Sequence, residues 1–225
     1  MSNKTPECIG IILDGNRRWA KEKNLPTLEG HRKGLDMLVE TTKWVRDRDA
    51  KHLVAYAFST ENWKRSEEEV SYLMNLILEG VKKELSKLSD ENVRIRIVGQ
   101  RERFSEEVQE AIQTAEDKSK NNTGITLWVC LSYGGRAEII NAANAATKEG
   151  EIDEEMFEKH LWTAEMPDPD IVIRTGGEKR LSNFLMWQSV YSELFFIDTY
   201  WPDFSEEALD AILKEYGERE RRHGR

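Results

Sequence analysis

Two cysteines in 225 residues exclude a disulfide framework and give no metal-ligand spacing. Cys8 and Cys130 both lie inside apolar runs, a usual place for reduced structural thiols. No run of 18 apolar residues exists, which excludes a membrane-spanning segment of that length. The opening residues 1–7 are polar and lack the basic start and apolar centre of a secretory signal, so the chain is expected to stay in the cytoplasm. Cations are in deficit: 33 Lys and Arg face 42 Asp and Glu, a net charge of −9. That balance excludes a general nucleic-acid binder and makes any local gathering of arginines informative. No internal repeat, low-complexity tract or linker divides residues 1–225, which are expected to form one domain.

What is present is a soluble composition, 39% hydrophobic and 33% charged, long enough to bury a core. Apolar runs at 8–13, 52–58, 125–131 and 171–173 read as buried strands. Residues 93–98 alternate apolar and basic, the pattern of a strand exposed on one face, and 184–187 and 194–197 read as further buried segments. Between them, helical spacing covers 30–49, and Ser66 with Glu69 forms a capping box that opens a long helix through residue 88. Helices are also expected after Ser105, from about residue 135 to Ala146, over 153–161 and after Ser205. Strands alternating with helices predict an α/β domain with a largely parallel central sheet flanked by helices.

Several strand exits carry the same chemistry. The first offers Asp14, Asn16, Arg17 and Arg18; the second Ser59, Glu61, Asn62, Trp63 and Arg65. A third offers the Gly134-Gly135-Arg136 turn, and a later one Arg174, Gly176, Gly177, Arg180 and Ser182. In a parallel sheet these mouths share one edge, where ligands of open α/β sheets bind. Arginines at several mouths of an acidic chain point to a strongly anionic ligand such as a diphosphate, because guanidinium contacts to phosphate oxygens are bidentate and always charged. Asp14 could hold a divalent cation. Each exit taken alone is also readable as an Asx-type turn beside solvated arginines. No Gly-x-x-x-x-Gly-Lys-Ser/Thr loop is present, which excludes an ordinary nucleotide triphosphatase. No Asp-Asp-x-x-Asp occurs either, so the double metal clamp of helical trans-prenyl synthases is missing. Asn at position 16 removes the general acid that an Asp-x-Asp phosphatase would need.

The combined pattern resembles the cis-prenyltransferases, the undecaprenyl diphosphate synthase family. The matching residues are Asp14-Gly-Asn-Arg-Arg-Trp19, Gly30-His31, Tyr56-Ala-Phe-Ser-Thr-Glu-Asn-Trp63 with Arg65, and Tyr133-Gly-Gly-Arg136. They continue with Ile173-Arg-Thr-Gly-Gly-Glu178, Arg180-Leu-Ser-Asn-Phe184, Glu193, Trp201-Pro-Asp-Phe204 and Arg219-Glu-Arg-Arg222. The resemblance implies condensation of isopentenyl diphosphate with an allylic diphosphate, farnesyl or geranylgeranyl, to a Z-polyprenyl diphosphate such as undecaprenyl diphosphate or a shorter homologue. It implies Mg²⁺ held by Asp14 and Glu193, and Asp14, Asn62 and His31 as catalytic groups. Asn16, Arg17, Arg18 and His31 would surround the allylic diphosphate, and Gly15 and Trp19 would also bind substrate. Ser59, Glu61, Asn62, Trp63 and Arg65 would orient isopentenyl diphosphate and the first carbons of the chain, Phe58 would also bind substrate, and Arg174, Arg180 and Ser182 would bind the isopentenyl diphosphate headgroup.

The greasy product would lie in an apolar tunnel walled by the helix of residues 70–88 and the strands 52–58 and 125–131. The resemblance further implies a homodimer, with Arg222-His223-Gly224 reaching across it, and peripheral membrane contact for product release. Two departures stand out. Arg17 occupies a position that is Gly in many bacterial members, and Thr27 one that is often Arg. Trp128, Cys130 and Leu131 are bulkier than the residues common on that strand, which points to a shorter product. The competing reading is a non-catalytic partner subunit of a two-chain prenyltransferase. Retention of Asp14 and the phosphate set argues against it.

Overall fold

In the computed structural model, which describes residues 5–219, every long apolar run becomes a strand of a single six-stranded sheet. The strands are β1 (Cys8–Ile12), β2 (His52–Ser59), β3 (Arg94–Val98), β4 (Thr126–Tyr133), β5 (Ile171–Arg174) and β6 (Glu193–Phe196). All pairings are parallel and the order is β3-β4-β2-β1-β5-β6. β1 and β4 are buried along their whole length, covered by helices on one face and by the segments 162–166 and 181–185 on the other. β1 continues to a neighbour on one side and β5 to a neighbour on the other. The crevice between their C-terminal ends is therefore the topological switch point, and it is there that Asp14 and Arg174 emerge.

The helices are α1 (Asn16–Glu22), α2 (Thr27–Arg46), α3 (Glu67–Glu79), α4 (Ser86–Asp90), α5 (Glu106–Ser119), α6 (Gly135–Ala146), α7 (Glu154–Lys159) and α8 (Glu206–Glu218). Serine caps start α3, α5 and α8: Ser66, Ser105 and Ser205 each accept a backbone N–H three residues on. A π turn over Gly80–Leu85 joins α3 to α4, so the long helix expected through residue 88 is one rod with a widened turn inside it. Such turns recur at functional sites. α2 begins at Thr27 rather than Gly30, because Pro26 sets the extended entry that a helix start requires.

The main core lies between one sheet face and α2 to α5 and α8, with Leu38, Phe58, Leu73, Ile95, Ile112 and Leu209 at its centre. The opposite face packs Val54, Tyr56, Trp128, Cys130, Phe184 and Leu185. Strand alternation keeps β4 as a wall of the tunnel but corrects which of its residues face it. Val129 and Leu131 face the α2–α3 side, whereas Trp128 and Cys130 point to the other face and cannot narrow a tunnel. The segments at 184–187 and 194–197 are only half what their hydropathy predicts. Phe184, Leu185 and Phe195 are buried, but Met186 and Leu194 are exposed.

Candidate active site

The site begins where β1 ends. Gly15 adopts φ +111° and turns the chain into α1, which carries Asn16, Arg17 and Arg18 away from the sheet edge. This helix was hidden in sequence because a seven-residue segment of mostly polar residues has no apolar period to reveal it. α1 packs against α2 through glycine: a Cβ at Gly30 would sit 2.0 Å from the Asn16 carbonyl oxygen, so only Gly allows the approach.

Asp14 lies at the centre of the switch-point crevice. Its carboxylate accepts from Arg174 Nη2 at 2.9 Å and meets Arg18 Nη2 at 3.1 Å. Its backbone is pinned by Thr175, whose hydroxyl donates to Asp14 O at 2.7 Å, and by the Trp201 N–H at 2.9 Å. Arg174 is almost wholly buried and donates also to Ser182 Oγ at 2.7 Å and to the Arg180 carbonyl, while its Nε finds no partner. A buried guanidinium committed to Asp14 orients that carboxylate. Gly176, in the left-handed region at φ +84°, leaves room for Arg18, whose Nη2 would lie 2.6 Å from any Cβ there. Arg180 is exposed and pairs with Glu178.

A polar cleft of about 640 Å³ opens beside Asp14, lined by Gly15, Asn16, Arg17, Arg18, His31 and Arg65. Lys21 and Thr27 complete its wall. From it a smaller recess passes Ser59, Asn62 and Ala57. An apolar cavity of about 100 Å³ follows between the sheet and α2–α3, where Leu35, Phe58, Leu76, Val81, Leu85 and Leu131 meet. The expected tunnel therefore exists as a cavity that shares Asn16, His31 and Ala57 with the polar mouth.

At the second exit, Asn62 Oδ1 accepts the Ser59 N–H at 2.9 Å, leaving its amide NH₂ to donate. Glu61 accepts from Asn183 at 3.0 Å and ties the β2 exit to the turn after β5. Burial pushes the Glu61 carboxyl up, but hydrogen bonds from its own backbone, Asn183, Ser59 and Thr60 outweigh it and hold the group below its usual value. Trp63 turns away from the cleft: its indole N–H donates to Ser132 Oγ at 2.9 Å and its ring packs on Phe58. Trp19 lines neither the polar cleft nor the apolar cavity.

Glu193 does not join Asp14 within one chain. It pairs with Ile171, which pairs with Ile9, three residue steps or about 10 Å below Ile12 at the opposite edge of the sheet, and it binds Arg219 instead. Among the described residues no three His, Cys, Asp or Glu side chains gather into a metal cage. Asp14 alone, with phosphate oxygens supplied by a ligand, is the arrangement Mg²⁺ commonly uses.

The group that sequence reading missed is Glu69. Its side chain does not return to the Ser66 N–H as a capping box would have it. It accepts from Arg65 Nη1 at 2.8 Å and faces His31 Nε2 at 3.3 Å, with Arg17 at 3.9 Å. Burial pushes His31 down, Arg65 pushes it further, and Glu69 pulls only partly back. Burial pushes Glu69 up, but Arg65, Arg17 and His31 outweigh it, so its carboxyl lies below the ordinary range.

A cationic cup opening into a greasy pocket is what a prenyl diphosphate requires. The undecaprenyl diphosphate synthase family model matches residues 12–224. The chain belongs to this family. An isoprenyl transferase of Neisseria gonorrhoeae is 48% identical over 222 residues, covering 98% of this chain and 90% of that protein. A ditrans,polycis-undecaprenyl-diphosphate synthase of Micrococcus luteus, (2E,6E)-farnesyl-diphosphate specific, is 45% identical over 97% of this chain and 91% of its own length. The crystal structure of lavandulyl diphosphate synthase from Lavandula x intermedia, in complex with dimethylallyl diphosphate, superposes with a TM-score of 0.94 at 34% identity, covering 98% and 99% of the two chains. The α/β sheet is thus a prenyltransferase fold, and the chain is a prenyl diphosphate synthase. The Arg222-His223-Gly224 tail lies outside the described residues.

Proposed function

We propose that this prenyltransferase condenses isopentenyl diphosphate with an allylic diphosphate, farnesyl or geranylgeranyl, and repeats the step to give a Z-polyprenyl diphosphate. The observation that carries this reading is continuity. The arginine-lined cleft and the apolar cavity share Asn16 and His31, so a headgroup in one places its chain in the other.

Ionising the allylic C–O bond builds charge on the departing diphosphate. Arg17, Arg18, Lys21 and the Asn16 amide surround the cleft where that charge develops. Asp14 would hold Mg²⁺ jointly with diphosphate oxygens, and the bound metal supplies Lewis-acid stabilisation of the leaving group. Glu193 has no part in that set within a single chain. The isopentenyl double bond attacks the allylic carbon, and loss of one proton restores neutrality and leaves the new cis double bond. No protein nucleophile is required. Asn62 donates toward the recess between cleft and cavity, and Ser59 lies beside it to orient the isopentenyl group. Arg180 and Ser182 at the β5 exit would take its diphosphate, with Arg174 held behind them as the anchor of Asp14. Arg17 and Thr27 line the same cleft, which supports Arg17 as the cation in place of an arginine at 27.

The exposed apolar residues around β6 support a homodimer, and retention of Asp14 with its arginines favours an active enzyme over a silent partner subunit. The test is elongation by the purified protein given allylic primer, labelled isopentenyl diphosphate and Mg²⁺. Labelled polyprenyl products that vanish with a chelator are expected. Their absence with Mg²⁺ present overturns the reading, and sizing the products gives the chain length.

A further inference from the structure

Behind the α3 side of the cleft, against residues that line it, sits an anion in a place built for anions. The Glu69 side chain is 12% exposed, and two arginines and a histidine ring of the diphosphate wall converge on it from separate elements. Arg17 comes from α1, His31 from α2 and Arg65 from the turn before α3. The remaining charged groups around the cleft are Asp14, Arg18 and Lys21. A surface helix cap needs none of this, because Ser66 already satisfies the Glu69 N–H.

The His31 contact has a definite polarity. An ionised carboxylate only accepts, so the nitrogen facing it, Nε2, carries the proton, and in the neutral ring Nδ1 is left as an acceptor. Removing Glu69 would leave both tautomers open. It would also free Arg65, whose guanidinium is otherwise held at 2.8 Å.

We propose that Glu69 is a positioning residue of the diphosphate site: its carboxylate fixes the tautomer of His31, holds Arg65 against the cleft, and ties their placement to the first turn of α3. It does not touch the reacting carbons. This rests on the reading that Arg17 and His31 face the allylic diphosphate, in a cleft that Arg65 also lines. Because α3 also roofs the apolar cavity, through Leu73, Leu76 and Ile77, one side chain links headgroup wall and chain wall.

The experiment compares Glu69→Ala, Glu69→Gln and Ser66→Ala in the full chain. Steady-state kinetics with the allylic diphosphate are paired with long-range ¹H–¹⁵N correlation spectra of the His31 ring across pH. For Glu69→Ala we expect a Michaelis constant about tenfold higher, with kcat changed less, the loss of one charge-assisted contact. His31 should titrate at lower pH and as mixed tautomers. Glu69→Gln keeps an acceptor for the Nε2 proton and should restore the single tautomer while the titration stays low. Ser66→Ala removes the helix cap but not the carboxylate, and should leave both the Michaelis constant and the His31 spectrum unchanged.

A wild-type Michaelis constant, or an unmoved His31 titration, in Glu69→Ala overturns the proposal. So does tighter allylic binding, or a Ser66→Ala variant that reproduces the loss. Arg17→Gly and Arg65→Ala serve as controls: if they raise the Michaelis constant while Glu69→Ala does not, the positioning role fails and the site reading stands. If neither raises it, the site reading itself fails.

Discussion

Arg17 is the cation that distinguishes this cleft. It stands on the exposed face of α1, with 59% of its side chain accessible, and only a distant contact at 3.9 Å restrains it. An exposed, weakly tethered guanidinium contributes little to stability but can meet a phosphate bidentately. Arg17→Gly should therefore raise the Michaelis constant for the allylic diphosphate about tenfold, the order of one charge-assisted contact, with little change in melting temperature. An unchanged Michaelis constant shows that the contact is not made. His31 offers a second test at the residue scale. Burial holds it below the usual histidine value, and burial does the same to His52. In the unfolded chain both bind protons near pH 6.5, so between there and the lower folded values the unfolded state holds more protons. Stability contributed by the neutral rings is thus present above pH 6.5 and lost as the pH falls through the folded values. Melting temperatures recorded from pH 7 down to 5 should decline, and His31→Gln should flatten part of that slope.

Among the elements, the α3–π turn–α4 rod decides what the cavity can hold. Val81 and Leu85 lie in the π turn and line the cavity, while Ala57 sits at the bulge in β2 where cleft and cavity meet. Ala57→Leu should plug the passage and shorten the products. Leu85→Ala opens space deep in the cavity and should lengthen them, at a stability cost of about 2–5 kcal/mol for a large-to-small core change. Reversed or absent shifts in the product ladder would remove the rod from chain-length control. These elements also show how far the sequence could be read. Strand exits were legible because apolar runs end abruptly in Asp14, Ser59, Ser132 and Arg174, and a parallel sheet then aligns them. The facing of β4 was not, because an all-apolar strand carries no alternation to say that Leu131 looks into the cavity and Trp128 away from it. Glu69 was legible only as a cap. Ser-x-x-Glu spacing is local, whereas its true partners come from α1, α2 and the preceding turn. Glu193 looked like a metal ligand by motif, yet parallel register puts it at the far edge of the sheet from Asp14.

On the whole molecule, β6 is an edge strand of the sheet, and large exposed apolar residues lie in the turn just before it. Val190 is 70% and Tyr191 72% exposed, with Met186 and Leu194 also accessible. Exposed edges and apolar patches are features that folded proteins cover. A second copy of the same chain is the occupant that the charge makes testable. Each copy carries −9, so association must come from apolar burial working against long-range repulsion, and added salt should strengthen it by screening. Sedimentation velocity should show a dimer that tightens with salt. Val190→Asp would place a carboxylate in the patch and should give a monomer. That monomer should still bind the allylic diphosphate, because the described cleft and cavity are built within one chain. A dimer that survives Val190→Asp, or one that salt dissociates, would place the contact elsewhere and make it electrostatic.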